Sequence, residues 1–261
     1  MKKSLLDVIF ASEKRMNMLL LLQDGPKEME VILSELEATR PALLPQVRIL
    51  EDHHLVTGSN DIYELTVLGK QIIDKMKPLM GTLEVFDGDT DYWGTHNLDF
   101  IPPHLLKRIR KIGKCKEVKL SLTESYQLNQ DVVRSTFMSA SFHVLTSFFH
   151  PSYPAVFPEM SQKGVGLYII TTRHVLDTMK EYHYEVFDRL LKTGSFNLFL
   201  YPEKLDLQVV AYNDYNLLLR LLASGGRIDV DHMLCSGPDA LEWGKELFEH
   251  YLKDSVQIRE L

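Results

Sequence analysis

The chain has 261 residues, 45% hydrophobic and 25% charged, and a formal net charge of −7. That balance belongs to a folded protein with room for one large domain or two ordinary ones, and it excludes a disordered chain. It also excludes the broadly basic surface that usually supplies non-specific affinity for nucleic acid. The apolar run Met16 to Leu22 is too short to span a bilayer, and it follows Ser12-Glu13-Lys14-Arg15, a helix start and not a targeting segment. No membrane partner is expected, and the cytoplasm is the expected compartment. Cys115 and Cys235 fit no metal-ligand spacing and read as two buried thiols. His53-His54 is the one histidine pair, and adjacent helical positions do not face one ligand. Neither a metal nor a cofactor is expected.

In chain order, Ser12 is placed to cap a helix reaching about Gln23, with Met16, Leu19, Leu20 and Leu22 at helical spacing and Asp24-Gly25-Pro26 as its stop. A second helix reads from about Glu28 to Glu37, with Ile32, Leu33 and Leu36 inward, and Ala38-Thr39-Arg40 is the turn. A third helix opens at Pro41, with Leu43, Val47 and Leu50 as its core stripe and Pro45 as an internal irregularity. Leu55-Val56-Thr57 and Ile62 to Leu65, joined by Gly58-Ser59-Asn60-Asp61, read as a hairpin. Thr66 then caps a fourth helix, Val67 to about Met80. Three helices, a hairpin and a helix in this order predict a winged helix-turn-helix over residues 1–80.

In that fold the third helix enters the major groove. The expected DNA-contact residues are Thr39, Arg40, Gln46 and Arg48, with Asn60 in the wing. Arg and Gln are suited to bidentate contacts with guanine and adenine edges. The charge argues the other way: residues 1–80 carry ten Lys and Arg against twelve Asp and Glu, and the wing has neither Lys nor Arg. Double-stranded DNA is the expected partner, met by a homodimer whose two weakly charged heads sum their contacts over paired half-sites. The alternative is a signalling adaptor that uses the winged helix for protein contacts and does not bind DNA.

The polar stretch around Asp87-Gly88-Asp89-Thr90-Asp91 predicts a linker over residues 81–97. Residues 98–261 then read as one α/β regulatory domain. Pro102-Pro103 introduces a short helix, Leu105 to about Ile112, and Asp131 to about Ser139 is helical. Ser141 to Phe148 is a strand, the turn His150-Pro151-Ser152-Tyr153-Pro154 leads into a helix to about Gln162, and Val165 to Thr171 is a second strand. Short connections of this kind make a parallel crossover. Phe196 to Tyr201 and Leu207 to Tyr212 are strands, Asn216 to Ala223 is strand or short helix, and Asp239 to about Lys253 is a final amphipathic helix.

No nucleophile elbow, phosphate loop or dinucleotide fingerprint is present, so no enzyme is expected. Asp177, Glu181, His183 and Glu185 read as a solvated helix face. A sensor pocket at strand ends and the loops after them points to His150, Ser152, Tyr153, Thr171, Thr172 and Arg173 as ligand-binding residues, the ligand being a small molecule or a signalling protein.

Four phrases carry a family likeness: Pro41-Ala42-Leu43-Leu44-Pro45-Gln46; Tyr92-Trp93 through His96 with Ile101-Pro102; His150-Pro151-Ser152-Tyr153-Pro154; and Leu241-Glu242-Trp243-Gly244-Lys245-Glu246-Leu247-Phe248. With them the chain resembles, over nearly its whole length, the archaeal winged helix-turn-helix regulators of the methanogenesis regulatory (Fil-type) family. The resemblance implies a transcription regulator with a winged-helix head and an α/β middle domain. The C-terminal half is also similar, more faintly, to a degenerate phospholipase D-like domain. No histidine here has a lysine two residues later, so the catalytic H-x-K-x-x-x-x-D pattern of that superfamily is absent and binding is expected in place of hydrolysis.

Overall fold

In the computed structural model, which describes residues 3–121 and 127–261, the first helix is one that periodicity did not announce. α1 (Leu5–Phe10) is capped by the Ser4 hydroxyl, which accepts the Asp7 N–H, and it buries Val8 and Ile9. α2 (Glu13–Leu21) follows, and a 3-10 turn over Leu22–Asp24 ends at Gly25, whose φ of 119° only glycine adopts freely. Then come β1 (Lys27–Glu28), α3 (Met29–Glu35), α4 (Arg40–Asp52), β2 (Val56–Ser59) and β3 (Ile62–Leu65). Glu28, expected to start the second helix, instead pairs together with Lys27 against β3 in a three-stranded sheet of order β1-β3-β2. α4 takes Pro41 in its first turn and runs on through Pro45.

The hairpin loop Asn60-Asp61 has φ values of 51° and 65°. Left-handed backbone at both positions suits a two-residue turn to the twist of the strands it joins. Met18, Leu19, Ile32, Leu43, Val47, Leu50 and Ile73 close the core of this winged helix-turn-helix. α5 (Val67–Asp87) starts where the Thr66 hydroxyl accepts the Gly69 N–H at 3.0 Å.

The chain divides into two compact units, Met1–Met80 and Gly81–Leu261. The expected linker over 81–97 is corrected: α5 continues to Asp87, and α6 (Thr90–Thr95) follows. The acidic run that read as loop is a cap, because the Asp89 carboxylate accepts the Tyr92 N–H at 2.8 Å. Val85, Tyr92 and Trp93 are buried, and the Tyr92 hydroxyl donates to the Leu219 carbonyl at 3.0 Å. This stretch is part of the second unit's core.

The second unit continues through α7 (Pro103–Leu106), β4 (Lys116–Val118), α8 (Gln130–Thr136), β5 (Ser141–Thr146), α9 (Tyr153–Gln162), β6 (Gly166–Thr171), α10 (Arg173–Tyr182) and α11 (Tyr184–Leu191). It ends with β7 (Phe196–Leu200), β8 (Val209–Tyr212), β9 (Asn216–Arg220), β10 (Leu222–Ala223), β11 (Arg227–Ile228), β12 (His232–Ser236), α12 (Pro238–Leu252) and β13 (Val256–Ile258). The main sheet has eight strands in the order β13-β7-β6-β5-β8-β9-β12-β4. β5, β6 and β7 are parallel and the outer strands are antiparallel, so the ambiguous run at Asn216 is strand. One face packs on α12 through Trp243, Leu247 and Phe248. The other packs on α9, α10 and α11 through Phe157, Leu176, Met179 and Phe187.

The expectation of two free thiols is also corrected, since Cys115 and Cys235 form a disulfide. β12 pairs antiparallel with β4, Leu234 opposite Lys116, and this brings together two cysteines separated by 120 positions in sequence. No sequence spacing could reveal that pairing.

Gly69 offers a direct test of the head's packing. A Cβ at this position would stand 2.1 Å from the Leu55 carbonyl oxygen, a backbone atom that cannot swing aside. Gly69→Ala is expected to destabilise the head by about 1–3 kcal/mol, as overpacking does. Urea unfolding followed by circular dichroism measures it, and an unchanged midpoint would refute the close approach.

Candidate functional site

On the head, the expected contact residues are sorted by what holds them. Arg40 is engaged already: both of its terminal nitrogens reach the Asp61 carboxylate, one at 3.1 Å, and Nη2 also lies 3.1 Å from Glu30 Oε1. Gln46 turns back toward the head, its Oε1 accepting from Arg15 Nη1 at 2.6 Å. Arg15 is only 7% exposed and also donates to the Val8 carbonyl, so Gln46 helps to seat α1 and α2 on α4. Thr39 is exposed at the start of α4 with no side-chain cap bond, and Asn60 is exposed at the wing turn. Arg48 is exposed, and among the described residues no carboxylate forms an ion pair with it. Arg48 is therefore the unencumbered cation on α4, and Arg40 a paired one.

In the second unit, α8, α9 and strands β5, β8 and β9 enclose a cavity of about 60 Å³. Its wall is mostly apolar, built from Val132, Phe142, Val144, Phe157, Met160, Ala211 and Leu218. Five polar side chains join it: Gln127 and Asn129 beside the start of α8, and His150, Tyr153 and Arg220. His150 is 3% exposed, and its Nδ1 accepts the Ser152 N–H at 3.1 Å. Burial first, and the charge of Arg220 second, push its pKa down to about 4, so the ring is neutral at pH 7. The proton of the neutral ring must then sit on Nε2, which is buried and has no hydrogen-bond partner. Burial raises the Tyr153 hydroxyl to about 12, which keeps it protonated.

Arg220 ends β9 and is 7% exposed, and its Nε has no hydrogen-bond partner. Among the described residues no carboxylate forms an ion pair with it, and burial lowers its pKa from the usual arginine value. Polar contacts at both ends seat α8 beside this cavity. The Asn129 side-chain oxygen Oδ1 accepts the Asp131 and Val132 N–H groups at 3.0 Å, and its side-chain Nδ2 meets His232 Nε2 at 2.9 Å. At the other end Asn213 donates to the Ser135 and Thr136 hydroxyls at 2.8 and 2.9 Å.

The six expected ligand-binding residues therefore separate. His150 and Tyr153 line the cavity, and Ser152 orients the His150 ring through its backbone. Thr171 is fully buried and spends its hydroxyl on the Thr146 carbonyl at 3.2 Å. Thr172 and Arg173 sit at the junction of β6 and α10 and do not line the cavity. Sequence reasoning missed Arg220, although a single arginine inside Leu217-Leu218-Leu219-Arg220-Leu221-Leu222 is a visible signal. A charge inside a doubly buried strand needs a reason.

Two family models match the chain: the N-terminal domain of methanogenesis regulatory protein FilR1 over residues 3–84, and its middle domain over residues 125–254. The chain belongs to this FilR1 family. The N-terminal match contains the whole of α4 and the wing, and the middle-domain match contains every residue of the cavity wall. A curated relative, methanogenesis regulatory protein FilR1 of Methanothrix harundinacea (strain 6Ac), is 28% identical over 260 residues. That alignment covers 97% of this chain but 58% of the relative's length. Among solved structures, TrmBL2, described as an archaeal chromatin protein with a novel mode of DNA binding, superposes with a TM-score of 0.45 at 16% identity, covering 95% of each chain. LaPhzM superposes with a TM-score of 0.23 at 11% identity, covering 89% of this chain and 95% of its own.

The buried imidazoles set a pH dependence in this FilR1-family chain. His143, His150 and His232 are each held down to about 4, in every case chiefly by burial. The unfolded chain takes up these protons near the ordinary histidine value, so between the two it binds more protons than the folded state. Their contribution is therefore complete above about pH 6.5 and is lost as pH falls toward about 4. Urea midpoints are expected to be lower at about pH 5 than at about pH 7.5. Equal midpoints would mean that the rings are solvated.

Proposed function

We propose that the chain is a transcription regulator whose head binds duplex DNA through α4, while its second unit receives a ligand that alters the head's action. The observation that carries this reading is the winged-helix head with Arg48 exposed on α4 and without an ion pair among the described residues, within a stretch matching the FilR1 N-terminal domain. The cavity beside α8 supports the second half, because it offers buried polar atoms without partners in an apolar wall. Two heads acting together would offset the weak charge of each, and Leu79 and Leu83, 47% and 41% exposed one turn apart on α5, favour a homodimer.

A mobility shift with promoter fragments at two salt concentrations tests the DNA half. Retardation should be strong at low salt and fall steeply as salt rises. The Arg40→Ala, Arg48→Ala double variant should lose at least about fivefold in affinity, the least expected of one lost bidentate contact. Unchanged affinity would remove α4 as the contact surface.

The engagement of Arg40 by Asp61 and Glu30 favours a second reading, in which the head contacts protein. That reading predicts no retardation even at low salt, together with a stable complex in pull-down. Light scattering at micromolar concentration tests the dimer, and a monomer there would count against summed half-site contacts.

A further inference from the structure

Arg220 poses a physical problem that the described residues solve only in part, since Asp229 and Asp231 attract it but neither forms an ion pair with it. A buried guanidinium without a counter-charge is strongly unfavourable, and buried arginines are ordinarily paired. Here Nε has no partner, and the ion pairs among the described residues do not include Arg220. A second buried donor on the same cavity, His150 Nε2–H, is also unpartnered. Both groups donate, so the missing group must accept. Apart from Gln127, Asn129 and Tyr153 the rest of the wall is apolar, so whatever carries that acceptor must be largely apolar beyond it.

We infer that this cavity binds a short-chain monocarboxylate, its carboxylate accepting from Arg220 and His150 and its alkyl tail lying against Phe142, Val144, Phe157 and Leu218. The inference rests on the reading of the second unit as ligand-receiving, and it names the class of ligand. A guanidinium fork matches a carboxylate in plane and charge. A phosphate dianion would call for more positive charge than one arginine, and among the described residues no lysine lines the cavity. A sugar would leave its hydroxyls unpaired against the apolar wall. The space of about 60 Å³ takes roughly four to six water-sized groups, which limits the acid to about butanoate through hexanoate.

Isothermal titration of the full chain with acetate, butanoate, hexanoate and decanoate tests the inference, with butan-1-ol, hexan-1-ol and inorganic phosphate as comparison ligands. Affinity should rise by about fourfold per added methylene up to hexanoate and fall at decanoate. The alcohols should bind at least about tenfold more weakly, since they bring no charge to Arg220. Arg220→Met should abolish binding of the acids without lowering the melting temperature of the unliganded chain, because it removes an unpaired buried charge. Ala211→Leu, which keeps Arg220 and fills the tail space, should weaken hexanoate more than acetate.

No heat with any acid at millimolar concentration overturns the inference. So does equal binding of alcohol and acid, displacement of hexanoate by phosphate, or a marked loss of melting temperature in Arg220→Met. The titration contains no DNA, so its failure leaves the α4 contact surface standing, and a failed mobility shift leaves the cavity's ligand untouched.

Discussion

Covering both faces of the eight-stranded sheet is the constraint on which the second unit depends. Alternate residues of each central strand enter different cores: Leu145, Ile170, Leu217 and Leu219 lie on the α12 side, and Phe142, Val144, Leu167 and Ile169 on the opposite side. Strands buried in this way have no solvated face, so they read as nearly continuous apolar runs. A polar atom placed among them must find a partner within the protein. Thr146 does so through the Phe148 and Gln208 carbonyls, and Thr171 through Thr146. Asn213 fills its needs with Ser135 and Thr136 on one side and the Tyr215 and Asn216 N–H groups on the other. Arg220 and His150 break this pattern together beside the cavity, while His143 Nδ1 and Gln208 Oε1 break it singly elsewhere.

The head is governed by a different balance. Arg15 is a buried basic residue that ties α1 and α2 to α4, and the core around it is apolar from Val8 to Met76. Asp61 occupies a left-handed position at the wing turn and meets Arg40 at the start of α4, so the wing and the third helix share an ion pair. A phosphate or base edge would compete with Asp61 and Glu30 for that guanidinium. Exposed pairs of this kind contribute little to stability, so the exchange is inexpensive. Salt screens the internal pair and would screen an external contact alike.

How much of this was legible in the sequence depends on the range of the interaction. The core stripes of α4 and α12 repeat every three or four residues, and the Thr66 cap lies three residues before the N–H it accepts, so reading along the chain finds them. Asn60-Asp61 between two β-prone runs likewise marks its own turn. The inward turn of Gln46 depends on Arg15, and the Cys115–Cys235 bond depends on a strand pairing across most of the second unit. Neither leaves a local trace. The run around Asp89 was misleading for another reason: capping residues and loop residues are the same residue types, and only the burial of Tyr92 and Trp93 distinguishes them. His150 and Tyr153 were found because a strand-end turn is where pockets form; Arg220 was passed over because an apolar run conceals one charge.

The seating of α8 connects these observations. It has seven residues, too few to persist without packing, and polar contacts hold it at both ends. At its start Asn129 leans on a neutral His232, whose Nε2 can accept from the amide only while unprotonated. At its end Asn213 grips Ser135 and Thr136. Between these anchors Val132 and Val133 face the cavity, with only empty space opposite part of their surface. Filling that space adds contact to this helix directly, and neutralising Arg220 removes an unfavourable charge from the strand beside it. A ligand moves a conformational equilibrium only by the difference in its affinity for the two states. For the ligand proposed above, that difference would arise at α8 and the end of β9, where the cavity leaves apolar surface and the charge of Arg220 incompletely satisfied.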